Sequence, residues 1–164
     1  CIDIMRKAGY STAIVIDAPG WGQNIDPIIE RGQELIDHDS LHNILFSIHM
    51  YGSWNKAESI KEKLTLCHQK DLPIIVGEFG YNYNDGGNNL GCKVDHKTIL
   101  NTCNELEYGY IPWSWTGNNK ENQWLDLVDP SDWKTLTWWG QQVITGQGGI
   151  TETAKKATVF TRKQ

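Results

Sequence analysis

Pro73-Ile74-Ile75-Val76-Gly77-Glu78-Phe79-Gly80 decides the fold. Five apolar or small residues lead into one carboxylate, and an aromatic residue and a glycine follow. The run is too short for a helix and rich in β-branched residues, so it reads as a buried strand. By the two-residue period of a strand, Ile74, Val76 and Glu78 are expected on one face, which sends the carboxylate inward at the strand's C-terminal end.

Three similar runs lie around it, at residues 13–17, 44–51 and 109–115. Amphipathic stretches separate them. Ile25, Ile28, Ile29, Leu35 and Ile36 share a helical face after Asp26-Pro27, read as a cap followed by proline at the first helical position. Ile60, Leu64 and Cys67 repeat at helical spacing, as do Ile99, Cys103 and Leu106 after Asp95, an N-cap candidate. Leu136, Trp139 and Val143 form a last apolar face, and a short helix over residues 2–7 precedes the first strand.

Continuous apolar strands alternating with helices predict an α/β fold with a parallel sheet. The repeat of about 30 residues matches that of a (β/α)8 TIM barrel, in which ~250 residues form eight units. Four units make half a barrel, here the last four, and a half barrel leaves two strand edges unpaired. The missing N-terminal half of the same barrel is therefore expected before Cys1. A doubly wound domain is the alternative, although no glycine-rich phosphate loop follows any strand. Residues 1–147 are assigned to the barrel and 148–164 to a C-terminal extension or the start of a linker.

The segments after the strands hold the chemistry. His49 and Tyr51 end the second run and fall beside Glu78 if their strands are neighbours. A tyrosine hydroxyl there can donate to the carboxylate and hold the anion. Trp113 and Trp115 end the last run with one residue between them, and Trp21 stands between two glycines. Tryptophan occurs eight times, and its flat apolar face stacks on sugar rings as readily as it packs a core. Trp124, Trp133, Trp138 and Trp139 are assigned to packing, and Trp54 stays open.

The net charge is −5 and the sequence pI about 5.5, without a basic stripe. Neither nucleic acid nor an anionic membrane is an expected partner. The four cysteines show no metal-ligand spacing. Cys67 and Cys103 read as buried thiols, with a Cys92–Cys103 disulfide as an alternative. His38, His42, His68 and His96 read as surface residues. No metal and no cofactor is expected.

Together these residues resemble glycoside hydrolase family 5, the cellulase-like β/α barrels. The matching stretches are Val15-Ile16-Asp17-Ala18-Pro19-Gly20-Trp21-Gly22-Gln23, Phe46-Ser47-Ile48-His49-Met50-Tyr51, Ile75-Val76-Gly77-Glu78-Phe79-Gly80 and Ile111-Pro112-Trp113-Ser114-Trp115-Thr116-Gly117-Asn118. Within the family they look most like the bacterial β-mannanases. The segment from Gly148 to Phe160 is also similar to the end of that catalytic module.

The resemblance implies a secreted, retaining hydrolase of mannan-type polysaccharides. Glu78 is then the nucleophile, flanked by His49 and Tyr51. Trp113, Trp21, Trp115 and Gln23 are then substrate-binding. Asn104-Glu105 copies the family's acid/base dipeptide, but inside a predicted helix, so the role is not carried over to it. The acid/base is expected upstream, and the isolated chain is expected to be inactive. The alternatives are a β-1,4-glucanase on the same fold and a non-catalytic carbohydrate-binding barrel.

Overall fold

A computed structural model describes residues 1–81 and 94–157. The chain divides into two compact units, Cys1–Ser114 and Trp115–Gln164.

The first unit alternates helices and strands: α1 (Ile2–Lys7), β1 (Ile14–Asp17), α2 (Asp26–His38), β2 (Ile44–Met50), α3 (Ala57–Gln69), β3 (Ile74–Phe79), α4 (His96–Glu105) and β4 (Gly109–Tyr110). The four strands are all parallel and lie in the order β1-β2-β3-β4. Sequence order and spatial order coincide. A doubly wound sheet reverses direction at a switch point; a barrel adds each strand beside the last, as here.

The helices cover one face of the sheet. Phe46, Ile48 and Met50 of β2 and Val76 and Phe79 of β3 are fully buried. The helices match them with Ile60, Leu64 and Cys67 of α3 and Ile99 and Cys103 of α4, all likewise buried. The i, i+4, i+7 spacing thus translates directly into packing. In α2 the buried stripe is Ile28, Ile29 and Gly32, and Leu35 is exposed. The sheet's other face is more open. Val15 is 57 % and Ile111 54 % exposed.

The register corrects the expected face of Glu78. Ile48 pairs with Val76, but His49 pairs with Glu78, so β3 holds one extra residue at Gly77. This bulge turns two successive residues toward the same side. Ile74 and Val76 therefore face the helices, whereas Glu78 shares the opposite face with His49. Gly77 suits the position because a Cβ there would lie 2.2 Å from the buried Ser47 Oγ.

Strand β4 is shorter than expected. Pro112 has no N–H for the ladder, and regular pairing stops at Tyr110, although Ile111 N still donates to Val76 O (2.8 Å) and Trp113 N to Phe79 O (3.0 Å). The Trp113–Ser114 peptide is cis. Asp26 is the first residue of α2 rather than its cap. Its carboxylate pairs with Lys63 of α3 instead. Asp95 does cap α4, accepting from Thr98 N (3.1 Å) and Thr98 Oγ1 (2.7 Å).

At the sheet's entry end, Arg6 of α1 grips the buried Asp39 through two bonds of 2.6 and 2.7 Å. Asp39 also accepts from Asn43 N (2.9 Å). The Arg6 guanidinium holds this carboxyl well below the usual range. The clamp ties α1 to the end of α2 and the start of β2.

His96 is a further correction: it is buried, not on the surface. Its ring meets Tyr81 edge-on, with centroids 6.1 Å apart. Burial lowers its pKa from 6.5 to about 4. The folded protein keeps the ring neutral while the unfolded chain protonates it. Stability from this group is complete above pH 6.5 and is lost as the pH falls toward 4, by up to about 3 kcal/mol. Chemical unfolding at about pH 7 and pH 4.5 checks this. The His96→Phe variant should lose less stability between the two than the wild type.

The second unit is built from Trp139 and Val143, both buried as expected. A short helix, α5 (Trp138–Gly140), runs into a π-wound turn, Gln141–Thr145, and α6 (Ile150–Thr153) follows. Gly140 packs against the Leu127 carbonyl. Trp133 and Trp138 are 62 % and 53 % exposed, against their assignment to packing, whereas Trp54 in the first unit is buried. Cys103 is a free, buried thiol, as is Cys67; Cys92 lies outside the described residues.

Candidate active site

The site forms where β1, β2 and β3 end. Three parallel strands deliver Asp17, His49 and Glu78 to one rim, and Tyr51 follows immediately after β2. Tyr51 donates its hydroxyl to Glu78 Oε2 at 3.1 Å. His49 Nδ1 lies 3.7 Å from the same oxygen. On the far side of the ring, His49 Nε2 lies 3.3 Å from Asp17 Oδ1. The Glu78 side chain is 26 % and that of His49 18 % exposed, so both are sheltered yet open to a ligand.

Residues 18–24 form the wall beside them. Gly22 N donates to Ala18 O (3.0 Å), Gln23 N to Gly20 O (3.1 Å) and Asn24 N to Pro19 O (3.0 Å), closing a tight turn. The turn is clipped to the sheet because Ala18 N donates to Ser47 O (2.9 Å) and His49 N to Gly22 O (2.8 Å). Gly22 has φ +79°, and a Cβ there would lie 2.3 Å from His49 Cγ. Only glycine lets the turn lie against the imidazole.

Trp21, at φ +60°, is held in the left-handed region and is 93 % exposed. That conformation costs a non-glycine residue about 1 kcal/mol or more. The turn thus holds a large apolar ring out in water from a rigid base. Gln23 Oε1 accepts from Ser53 Oγ (3.3 Å).

The resulting cleft measures about 480 Å³ and is lined by Asp17, residues 18–23, His49, Tyr51 and Glu78. That volume suits a small ligand or a stretch of a polymer. The structure therefore brings together Glu78, His49, Tyr51, Trp21 and Gln23. Trp113 is tied by its backbone to Phe79, the neighbour of Glu78, and its ring is 41 % exposed. Trp115 opens the second unit, where its carbonyl accepts from Leu127 N and Val128 N, both at 3.0 Å. Glu105 is an exposed residue at the last position of α4. Among the described residues no group of three or more His, Cys, Asp or Glu is placed to hold a metal ion.

Sequence reasoning did not single out Asp17 or Gly22 as site residues. Asp17 is one exposed carboxylate among many, and its importance comes from the β1–β2 register that sets it beside His49. Gly22 was readable only as a turn residue, although its place two residues before Asn24 and directly after a lone exposed Trp hinted at close approach.

A carboxylate at the C-terminal rim of parallel strands, held by a phenol, thus faces a cleft that an exposed indole also lines. The cellulase profile of glycosyl hydrolase family 5 matches residues 1–119. The chain belongs to glycosyl hydrolase family 5. A mannan endo-1,4-β-mannosidase of Salipaludibacillus agaradhaerens is 37 % identical over 158 residues, 96 % of this chain and 49 % of that protein. Among solved structures, a β-mannanase from Thermomonospora fusca matches with a TM-score of 0.87 at 37 % identity, over 97 % of this chain and 51 % of that one. A β-mannanase from Streptomyces thermolilacinus with mannohexaose matches with a TM-score of 0.88 at 34 % identity, over 99 % of this chain and 52 % of that one. The chain spans about half the length of these relatives. Its four sequentially ordered β/α units are those of a family 5 barrel.

Proposed function

We propose that this family 5 chain is the nucleophile-bearing half of a retaining endo-β-1,4-mannanase. The observation that carries the reading is the carboxyl rim: Glu78 at the end of β3, fixed by the Tyr51 hydroxyl at 3.1 Å and facing an open cleft beside Trp21. Double displacement needs one carboxylate to attack the anomeric carbon and a second carboxyl, roughly 5 Å away, to protonate the leaving oxygen. Tyr51 orients the attacking carboxylate, Trp21 and Trp113 offer stacking faces to neighbouring pyranoses, and Gln23 offers an amide to their hydroxyls. Asp17 stands across the imidazole from Glu78, so it does not face the nucleophile as the acid must.

The acid/base is therefore assigned to the remaining half of the barrel, which would also cover the open sheet face at Val15 and Ile111. Mannan as the substrate is supported by the mannanases among the relatives. A polymeric substrate places the protein outside the cell. No cofactor enters this chemistry.

The test is hydrolysis by the full-length protein on a panel of mannan, galactomannan and β-1,4-glucan, with the product anomer followed by NMR. Mannan cleavage with retained β-configuration supports the proposal. Preference for β-1,4-glucan would move the protein to the glucanases of the same family, and inversion would remove the nucleophile role from Glu78. The 164-residue chain alone should release no sugar from galactomannan.

Trp21 allows a narrower check. Its ring is almost fully exposed, so Trp21→Ala should leave the thermal midpoint unchanged. A lost stacking face of about 0.5–1.5 kcal/mol should raise KM by about 2- to 13-fold with little change in kcat. Steady-state kinetics on mannohexaose reads both values.

A further inference from the structure

His49 has a carboxylate near each ring nitrogen, at unequal distances. Nε2 lies 3.3 Å from Asp17 Oδ1, and Nδ1 lies 3.7 Å from Glu78 Oε2. A neutral imidazole has one donor and one acceptor nitrogen, and an ionised carboxylate only accepts. A proton on Nε2 fits the shorter approach. The longer one is what two acceptors keep between them. Glu78 Oε2 already accepts from Tyr51, so it has no need of a second donor from the ring.

We propose that Asp17 is the positioning residue of His49: it accepts a hydrogen bond from Nε2–H, fixes the ring, and leaves Nδ1 as an acceptor beside the nucleophile. The proposal rests on the hydrolase reading above and adds a residue to it. The other groups facing the ring are Glu78 from β3, Tyr51 from the end of β2, and Gly22, whose missing side chain admits the ring. Among the described residues that line the cleft, Asp17 and Glu78 are the two carboxylates.

The function of the arrangement is to keep Glu78 free to attack. With the tautomer reversed, an Nδ1–H would point at Glu78 Oε2, which already accepts from Tyr51, and a second donor would draw charge from the nucleophile. An imidazole held by a carboxylate on its remote nitrogen presents a defined nitrogen to the reacting group. Asp17 does this from a neighbouring strand: the β1–β2 pairing of Asp17 with Ser47 puts it within reach of a residue two places further along β2.

The experiment uses the full-length protein and three variants, Asp17→Asn, Asp17→Ala and Asp17→Glu. The Asp17 side chain is 59 % exposed, so all three should fold, and their thermal midpoints check that. Nitrogen-15 spectra of the His49 ring, taken where it is neutral, read the tautomer directly. The wild type should carry its proton on Nε2, with that proton shifted downfield by its acceptor. Asp17→Ala should lose the downfield shift. Asp17→Asn offers an amide N–H to Nε2 and should move the proton to Nδ1. On mannohexaose, Asp17→Asn should lower kcat by about 10–100-fold with KM changed less than about threefold, and Asp17→Glu should recover part of the loss.

An unchanged tautomer in Asp17→Asn would overturn the proposal, as would a reversed tautomer with unchanged kcat. The ring spectra need no turnover. If the wild type cleaves no β-glycan, the hydrolase reading fails while the spectra still decide whether Asp17 sets His49.

Discussion

Glu78→Gln is expected to leave the fold intact and to lower kcat by about 10,000-fold or more, the scale of loss seen when a covalent nucleophile is removed. The isosteric amide keeps an oxygen for the Tyr51 hydroxyl, now 3.1 Å away, and the side chain is not part of the packed face. An amide has no anionic oxygen to attack the anomeric carbon, so the first displacement fails. Circular dichroism and the thermal midpoint should match the wild type within error. Residual turnover near the wild-type level would show that the attacking group lies elsewhere.

The second large effect is expected at Gly22, a residue with no side chain. An added Cβ would lie 2.3 Å from His49 Cγ and 2.8 Å from His49 Cβ, which is the root of the ring and cannot swing aside. The backbone at φ +79° is also unfavourable for alanine. Together these should destabilise Gly22→Ala by about 2–4 kcal/mol. They should also push the turn and the imidazole apart, and a shift of about 1 Å at the cleft should lower kcat/KM by about 100-fold. Gly9→Ala is the control. Gly9 has φ +87° but nothing within 4 Å of the added Cβ, so it carries the backbone penalty of about 1 kcal/mol alone and should leave kcat/KM unchanged. Urea unfolding and kinetics on both variants separate strain from collision. Equal activity in the two would mean that contact between the turn and His49 is not needed.

Much of the architecture was legible because it rests on repeating patterns. The apolar runs ending at Asp17, Tyr51 and Phe79 each hold a strand, and the spacing of Ile60, Leu64 and Cys67 became a buried helix face. Parallel pairing in chain order followed from alternation.

Single insertions and tertiary environments carry no such pattern. The bulge at Gly77 reverses which face Glu78 occupies, and one glycine in a strand is only a faint sign of it. His96 reads as a polar residue at a helix start, yet the packing of Tyr81 and the first turn of α4 buries it. Trp133 and Trp138 read as packing residues from their place in or near the last helix, while only Trp139 of the three reaches the interior.

The candidate site divides the same way. His49, Tyr51 and Glu78 could be grouped because each ends a strand, and the sheet places those strands side by side. Trp21 could be singled out by its two flanking glycines. Asp17 gains its place only through the β1–β2 register, a long-range fact that no local window contains. The same register that aligns the rim also explains why the turn at residues 18–23 reaches His49: Ala18, one residue beyond Asp17, bonds the carbonyl of Ser47.

The proposed double displacement requires a covalent bond between Glu78 and the sugar. Treating the full-length protein with a 2-deoxy-2-fluoro-mannoside bearing a good leaving group slows the second displacement and traps the covalent intermediate. Peptide mass spectrometry should then find one fluoromannosyl group on Glu78, and Glu78→Gln should stay unlabelled. Label on a different carboxylate, or inactivation without any covalent sugar, would take the nucleophile role away from Glu78.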